Sequence, residues 1–269
     1  MKIVTAIQAR TSSSRLPNKV LLPLCGEPLF IRMIERIKRA SLCGTLVVAT
    51  SLNQEDDIIE CLCNKNGIHC FRGSLFDLLD RHFQLAREYK ADALVKIPSD
   101  CPLIDPLIID QVIGYYLQNY PSFDFVSNLH PATYPDGNDV EIMSFEALEK
   151  AWTEADKDFE REHTTPYVWE NPSVFNIGNV TWPMGRDFST SHRFTIDYEE
   201  DYRFIRAIYN ELFPLKPRFG LDDIITLIEK DPSIMRLNNR YAGRYWYEKH
   251  LDELHTIDDY KYKLTNYED

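Results

Sequence analysis

The chain opens on an apolar run that is too short for a helix and that ends in a basic loop. Ile3, Val4, Ala6 and Ile7 have the composition and length of a buried β-strand. Residues 9–19 then carry three cations and three serines. Ligands of open α/β sheets bind past the carboxyl ends of the strands. The start of the chain therefore predicts a first parallel strand followed by a ligand-binding loop.

Further short apolar runs alternate with helical patterns through the first half of the chain. We predict strands at residues 3–7, 46–49, 69–71, 93–97 and 123–127. Between them we predict helices at residues 29–38, 55–66, 74–89 and 106–120. This alternation is typical of an α/β fold with a doubly wound, mixed but mostly parallel sheet.

The second half is less regular. We predict strands at residues 139–143, 174–180 and 194–196, with the last strand returning to the main sheet. Helices are predicted at residues 144–155, 159–170 with a break at Pro166, 199–212 and 221–230. The pattern indicates one domain over residues 1–237 and an aromatic, charged C-terminal extension over 238–269. The aromatic residues of that extension are expected to dock on the domain or on a second subunit.

Charge and composition exclude several classes of protein. A net charge of −12 argues against a nucleic-acid-binding or membrane-binding surface, because both need a basic patch. The sequence has no run of 18 apolar residues, which argues against a membrane span. The first apolar run is too short for a secretory segment, so we expect a cytoplasmic protein whose six cysteines are free thiols.

The basic loop is the first candidate site. Arg10, Arg15 and Lys19 surround a run of serines, and cations with hydroxyl groups suit a phosphate chain. The loop has neither GxxxxGK[ST] nor GxGxxG, which argues against a P-loop NTPase and an ordinary NAD enzyme. It therefore predicts phosphate binding mainly by side chains, with a solvated basic turn as the alternative.

Two aspartates follow predicted strands. Asp100 lies past the fourth strand, where a carboxylate suits Mg²⁺ held by one or two protein carboxylates and phosphate oxygens. Asp197 follows the predicted strand 194–196, but the acidic residues after it also fit a helix N-terminus. Both alternatives stay open from the residues alone, and Asp105 is assigned only to helix capping.

The run ARTSSSRLPNKVLLPLCGEPL (9–29) resembles the N-terminal signature of the spore-coat polysaccharide biosynthesis cytidylyltransferase family. This family is related to the CMP-Kdo and CMP-sialate synthetases. The likeness covers residues 1–237. It continues in order through FRGSLFDLLDR (71–81), SDCPLIDP (99–106), YPDGNDVEIMSFEALEKA (134–151), EREHTTPY (160–167) and RFTIDYEED (193–201).

The resemblance implies a nucleotide-diphospho-sugar transferase fold, which is a GT-A-like Rossmann-type fold. It implies a nucleotidyltransferase domain at 1–237, with an acceptor-binding and dimerisation insertion at about 128–192. It further implies Mg²⁺-dependent transfer of CMP from CTP to a small acidic or phosphorylated acceptor, such as a sugar, a phosphate or a phosphonate. Pyrophosphate would be released, for cell-surface polysaccharide biosynthesis. We also expect a homodimer without nucleic-acid or membrane partners.

The resemblance also assigns residues to roles. Those expected to be catalytic are Arg15, Lys19 and Asp100. Those expected to bind the nucleotide are Ala9, Arg10, Ser12, Ser13, Ser14, Arg15, Lys19, Arg72 and Ser99, with Arg81 on the same side of the sheet. Those expected to bind the acceptor are Asn128, Tyr134, Asp136, Asp139, Glu141, His163 and Arg193. Asp100 and Asp197 are expected to hold Mg²⁺. Polar residues of this kind also satisfy loop backbone, which is the alternative for the acceptor set.

Three residues depart from the family pattern. Ser12, Asn18 and Ser99 stand where family members commonly have glycine, which allows close backbone approach to phosphate. This motivates one rival hypothesis, a catalytically inactive nucleotide-binding scaffold. The other rival is a GT-A glycosyltransferase that consumes a nucleotide sugar, although its usual DxD motif is replaced here by SDC.

Overall fold

A mixed seven-stranded sheet forms the centre of the computed structural model, which describes residues 1–257. Its strands are β1 (Ile3–Gln8), β2 (Thr45–Ser51), β3 (His69–Gly73), β4 (Ala93–Pro98), β5 (Phe125–Ser127), β6 (Glu141–Ser144) and β7 (Ile177–Asn179). Their order in the sheet is β3-β2-β1-β4-β6-β5-β7. Strand β6 is antiparallel to both of its neighbours, and the remaining pairs are parallel. The predicted mixed, mostly parallel sheet is confirmed.

Helices cover both faces of this sheet. They are α1 (Leu29–Ile37), α2 (Asp57–Lys65), α3 (Leu78–Glu88), α4 (Pro106–Gln118), α5 (Phe145–Glu154), α6 (Asp158–His163), α7 (Pro166–Trp169), α8 (Glu199–Leu212), α9 (Leu221–Lys230) and α10 (Pro232–Met235). One core contains the apolar faces of α1, α4, α8 and α9. A second core contains those of α3 and α5. The sheet is therefore doubly wound, as the alternation of strands and helices predicts.

Strand β1 is central because it is buried on both faces. Val4, Ala6 and Ile7 are fully buried, since Ile7 packs into one core while Val4 and Ala6 pack into the other. Both of its neighbours, β2 and β4, pair with it in parallel. In the register of β1 with β4, Gln8 lies opposite Pro98, so the two strands end side by side.

The predicted strand at 194–196 is wrong. Phe194 and Ile196 are fully buried, but this segment pairs with loops instead of joining the sheet. The Phe194 N–H donates to the Asp136 carbonyl at 2.7 Å, and the Ile196 N–H donates to the Asp100 carbonyl at 2.9 Å. The segment therefore holds two loops together past the end of the sheet.

Other differences are local. The helix predicted at residues 55–66 begins at Asp57, because a 3₁₀ turn at Gln54–Asp56 precedes α2. The strand predicted at 174–180 shortens to Ile177–Asn179. The predicted break at Pro166 is confirmed, because α6 ends before it and α7 begins there.

The C-terminal extension is described as far as Ile257, and its remaining residues, 258–269, lie outside the described part of the chain. Leu254 and Ile257 are buried in the second core, so the described part docks on the domain. The proposed insertion at 128–192 supplies β6 and β7 to the main sheet. Its role in dimerisation stays a prediction. Within residues 1–257 we find no helix with the length and apolar character needed to cross a bilayer.

Candidate active site

A cavity of about 800 Å³ lies past the carboxyl ends of β1 and β4. Gln8 and Ala9 line it from the end of β1, and Pro98, Ser99 and Asp100 line it from the end of β4. Its volume is at the upper end of the usual range for small-molecule sites, about 300–1,000 Å³. The cavity is therefore large enough to hold two small substrates at once.

The basic loop is held in place by a buried aspartate that sequence reasoning did not single out. The Asp56 carboxylate accepts hydrogen bonds at 2.8 Å from both the N–H and the hydroxyl of Thr11, and a further one from the Ser51 hydroxyl. The Thr11 carbonyl in turn accepts from the N–H groups of Ser13 and Asn18 at 3.0 Å. The loop is thus closed on Thr11, which is itself anchored to the start of α2.

Asn18 explains one departure from the family pattern. Its φ is 57° and its ψ is 23°, in the left-handed region that glycine adopts at no steric cost and that asparagine tolerates. Ser12 and Ser99 are not among the residues with positive φ. Only Asn18 of the three therefore occupies a backbone conformation that favours glycine.

The cations of the loop meet the two candidate metal-binding aspartates. Lys19 Nζ donates to Asp197 Oδ1 at 3.0 Å, to Asp100 Oδ2 at 3.3 Å and to the Ile196 carbonyl at 2.8 Å. Arg15 Nη2 lies 2.7 Å from Asp197 Oδ1. The four predicted residues are therefore brought together at one point, although they are up to 182 positions apart in the sequence (197 − 15).

Asp201, and not Asp197, is the side chain that accepts hydrogen bonds from the backbone N–H groups at the start of α8. Its carboxylate accepts from the N–H groups of Asp197 at 2.9 Å and Tyr198 at 3.0 Å. The Asp197 side chain is consequently available to line the cavity. Arg193 fixes the same turn, because its guanidinium donates to Asp136, Asp197 and Asp201 at 3.0–3.2 Å.

These contacts set the charge states. Burial lowers the pKa of Lys19, but Asp100 and Asp197 outweigh burial and raise that pKa above its ordinary value. Burial raises the pKa of Asp197, but Lys19 and Arg15 outweigh it and hold that pKa below its ordinary value. Burial, followed by the charge of Asp100, raises the pKa of Asp139 to about 7. The site therefore combines an ionised pair with a carboxyl group that titrates near neutral pH.

Most of the residues predicted to bind nucleotide line the cavity. They are Ala9, Arg10, Ser13, Ser14, Arg15, Lys19 and Ser99. Ser12 is exposed and lies outside the cavity lining. Arg72 also lies outside it, because its guanidinium pairs with Asp57 at 2.6 Å and with Glu60 at 2.9 Å, both on α2.

Arg81 lines the cavity where Arg72 does not. Its side chain is 1% exposed, and its Nε and Nη1 have no hydrogen-bond partner among residues 1–257. Burial, followed by the charge of Arg10, lowers its pKa to about 10, so it stays charged at neutral pH. The amide oxygen of Gln8 is likewise buried without a partner in the described chain. Both residues line the cavity, and these donors and this acceptor are buried at its wall.

The residues predicted to bind the acceptor divide into two groups. Asp136, Asp139, Glu141, His163 and Arg193 line the cavity. Asn128 and Tyr134 do not, because Asn128 bonds the backbone of Asn138 and Val140, and Tyr134 donates to Gln111 and stacks on Trp182. Sequence reasoning missed Lys96, which lies opposite Glu141 in the β4–β6 register and binds it at 2.5 Å.

His163 is uncharged at neutral pH. Burial, followed by the charge of Lys96, lowers its pKa to about 3. Its ring stacks on that of Trp246 with 3.8 Å between centroids. A base with so low a pKa is poorly matched to proton abstraction near pH 7. The geometry therefore favours a packing role for His163.

Asp100 and Asp197 are the carboxylates that could hold Mg²⁺ in this cavity. No group of three or more His, Cys, Asp or Glu side chains in the described chain is arranged to hold a metal ion. Mg²⁺, however, is usually bound by one or two carboxylates together with substrate phosphates. Asp100 and Asp197 both line the cavity and both bind the Lys19 ammonium, so they fit that smaller requirement.

Comparison with known proteins supports the same family. The profile of the family described as Cytidylyltransferase matches residues 4–223. An uncharacterized protein of Methanocaldococcus jannaschii is 36% identical over 252 residues, which are 92% of this chain and 99% of that protein. The spore coat polysaccharide biosynthesis protein SpsF of Bacillus subtilis is 30% identical over 235 residues, which are 86% and 95% of the two chains.

Solved structures agree. A cytidylyltransferase from Leptospira borgpetersenii superposes with a TM-score of 0.82 at 36% identity, covering 87% of this chain and 97% of that one. A CMP:2-keto-3-deoxy-manno-octonic acid synthetase complexed with CTP superposes with a TM-score of 0.59 at 16% identity, covering 78% and 99%, and shares the fold. The chain thus belongs to the cytidylyltransferase family of nucleotidyltransferases.

Proposed function

We propose that the protein is a Mg²⁺-dependent cytidylyltransferase that transfers CMP from CTP to a small acceptor and releases pyrophosphate. The observation that carries this proposal is the convergence of Asp100 and Asp197 on Lys19, with Arg15 beside them, at the wall of the cavity. Two carboxylates and two cations at one point suit a triphosphate with its metal ion.

The proposed reaction is an in-line displacement. An acceptor oxygen forms a bond to the α-phosphorus, the bond between that phosphorus and the bridging oxygen breaks, and pyrophosphate leaves with the electron pair. Arg15 and Lys19 exchange their carboxylate partners for phosphate oxygens and stabilise the charge that develops on the leaving group. Asp100 and Asp197 would hold Mg²⁺, which would supply further neutralisation of phosphate charge.

Asp139 is suitably placed to receive the proton of the acceptor. It lines the cavity, and burial, followed by the charge of Asp100, raises its pKa above its ordinary value, which makes this carboxylate a stronger base toward an acceptor hydroxyl. An acceptor that is already ionised, such as a phosphate, would not need this step. The pH dependence of turnover therefore distinguishes a hydroxyl acceptor from an ionised one.

Arg81 and Gln8 support a choice of nucleobase. Cytosine presents a ring nitrogen and a carbonyl oxygen as acceptors, and an amino group as a donor. Arg81 and Gln8 line the cavity with the donor and acceptor types that a pyrimidine edge of this kind needs. A choice of CTP also agrees with the names of the relatives, several of which are 3-deoxy-manno-octulosonate cytidylyltransferases. By the name of SpsF, we place the product in the biosynthesis of a surface polysaccharide.

Calorimetric titration with CTP, UTP, GTP and ATP in the presence of Mg²⁺ tests the proposal without knowledge of the acceptor. We expect selective CTP binding that is weakened at least tenfold in Asp100→Ala and unchanged in the matched control Asp222→Ala, an exposed aspartate on α9. A screen for pyrophosphate release with sugars, sugar phosphates and phosphonates follows. Equal binding of CTP by both variants would overturn the metal assignment.

The same experiments separate the rivals. A GT-A glycosyltransferase would bind and hydrolyse a nucleotide sugar in preference to a triphosphate. An inactive scaffold would bind CTP but release no pyrophosphate with any acceptor class. The left-handed backbone of Asn18, which asparagine tolerates, removes one of the three observations that motivated the scaffold hypothesis.

A further inference from the structure

The start of the C-terminal extension packs against the turn that carries Asp197. Residues 238–244, called here the bracing segment, lie beyond residue 223, where the match to the family profile ends. The turn spans residues 193–201 and runs into the start of α8. Through the bracing segment, the extension therefore reaches a candidate metal-binding aspartate from a part of the chain that the family profile does not cover.

Asn238 joins the two ends of this turn with one amide group. Its side chain is 2% exposed, and its Nδ2 donates to the Arg193 carbonyl at 2.9 Å and to Asp201 Oδ1 at 3.0 Å. Both partners are acceptors, so both N–H groups of the amide are engaged and the amide oxygen could not replace them. Because Asp201 also accepts from the Asp197 N–H at 2.9 Å, Asn238 acts on Asp197 through a single carboxylate.

Tyr241 contacts the same turn through its ring. It stacks on Tyr198 with 4.0 Å between centroids and 10° between the ring planes. The Arg15 guanidinium lies over that Tyr198 ring, 5.5 Å from its centroid, and pairs with Asp197 at 2.7 Å. Tyr198 directly follows Asp197 in the sequence. The stack therefore limits the positions that Tyr198 can take, and with them those of Arg15 and of the Asp197 backbone.

Two further contacts attach the bracing segment to this turn. The Arg240 guanidinium binds the Glu200 carboxylate on α8. The Arg244 carbonyl accepts from the Arg193 guanidinium at 3.3 Å, and that guanidinium also donates to Asp197 Oδ2 at 3.1 Å. The turn is thus held at its beginning, at its middle and at its end. Side chains whose supports are fixed in this way keep one geometry before a ligand binds.

We infer that the bracing segment positions Asp197 and Arg15 for Mg²⁺ and the triphosphate, with Asn238 and Tyr241 as its positioning residues. The inference rests on the proposed function, because it concerns the metal ion and the nucleotide of that reaction. Neither Asn238 nor Tyr241 is part of the cavity lining, so they act through Asp201 and Tyr198. Mg²⁺ demands near-octahedral geometry, and partners that orient its ligands commonly change metal affinity about 10- to 100-fold when they are removed.

Calorimetric titration of the full chain with CTP, once in excess Mg²⁺ and once in EDTA, measures how strongly the metal ion tightens binding. We expect the ratio of the two affinities to fall about three- to tenfold in Asn238→Ala and in Tyr241→Leu. Tyr241→Phe retains the stacked ring and should restore the ratio of the parent. The matched control is Asn239→Ala, an exposed neighbour of Asn238, which should leave the ratio unchanged. A loss of stability alone would not change this ratio, because both affinities refer to the same folded protein.

The outcomes separate this inference from the proposed function. If Mg²⁺ tightens CTP binding in the parent and does so equally in Asn238→Ala and Tyr241→Leu, the inference is overturned and the proposed function survives. Tyr241 is half-buried, so Tyr241→Leu alone decides the matter if Asn238→Ala does not fold. An equal fall of the ratio in Asn239→Ala would also overturn the inference. A parent that binds CTP equally with Mg²⁺ and with EDTA would overturn both proposals.

Discussion

Replacing Asp56 with asparagine tests how the basic loop is held. The Asp56 side chain is 1% exposed, and its carboxylate accepts three hydrogen bonds, two from Thr11 and one from Ser51. Burial raises the pKa of Asp56, but the bonds from Ser51 and Thr11 outweigh it and hold the pKa below its ordinary value. The substituted asparagine would keep the oxygen that faces Thr11 but would place an amino group against the Ser51 hydroxyl.

The expected loss follows from these bonds. A hydrogen bond to a charged group contributes about 1.5–3 kcal/mol, and the substitution removes the charge from three of them while leaving some as neutral bonds. We expect Asp56→Asn to lower the free energy of unfolding by about 2–4 kcal/mol at pH 7. The neighbour Asp57, whose side chain is 56% exposed and pairs with Arg72, provides a matched control. Asp57→Asn should cost about 1 kcal/mol or less.

Urea unfolding of the parent and both variants measures these values. Because the folded pKa of Asp56 is depressed, its contribution is present above the unfolded value of about 3.9 and is lost as pH falls through the folded pKa. The gap between parent and Asp56→Asn should therefore narrow below about pH 4. CTP affinity should also fall, because the loop bears Arg15 and Lys19. Equal losses in Asp56→Asn and Asp57→Asn would refute the reasoning.

Substitutions at three other sites have expected outcomes in thermal or urea unfolding. Asn18→Ala should lower the free energy of unfolding by about 1 kcal/mol and Asn18→Gly should leave it unchanged, because the backbone of residue 18 is in the left-handed region. Equal losses in the two variants would contradict this. Gly137→Ala should cost about 2 kcal/mol or more, because φ is +98° and a Cβ would lie 2.6 Å from the Phe194 carbonyl carbon. Lys96→Met should lower the free energy of unfolding by about 3–5 kcal/mol, because it leaves the buried Glu141 unpaired. The double variant Lys96→Met with Glu141→Leu should recover part of that stability. A double variant no more stable than the single one would argue against the ion pair.

Local sequence patterns predicted a helix well where the spacing of its own apolar residues shows which face is buried. The apolar positions of residues 29–37 repeat at helical spacing, and Leu29, Phe30, Met33, Ile34 and Ile37 are all buried. Helices α8 and α9 have the predicted bounds. Asp105 caps α4 as predicted, accepting from the Leu107 N–H at 2.8 Å. Periodicity and capping are properties of neighbouring residues, so they can be read from the sequence.

Contacts between distant segments were not predictable in the same way. Arg72 and Arg81 lie nine positions apart (81 − 72), yet only Arg81 lines the cavity, because the acidic residues of α2 bind Arg72. The segment 194–196 is apolar enough for a strand, but its backbone partners are the loops at Asp100 and Asp136. The homodimer and the cytoplasmic location stay predictions, because neither can be read from the structure of a single chain.

The sequence by itself determined the strand–helix alternation, the family, and the position of a basic loop and an aspartate past two strands. These follow from hydrophobic periodicity and from residue types at strand ends, which are local or ordered along the chain. Only the tertiary structure decided that Asp197 binds Lys19 while Asp201 caps α8, and that Trp246 meets His163 in the cavity. The contacts of Asp197 with Lys19 and of Trp246 with His163 join residues 83 (246 − 163) or more positions apart. Which side chains meet over such a separation depends on the packing of every element between them.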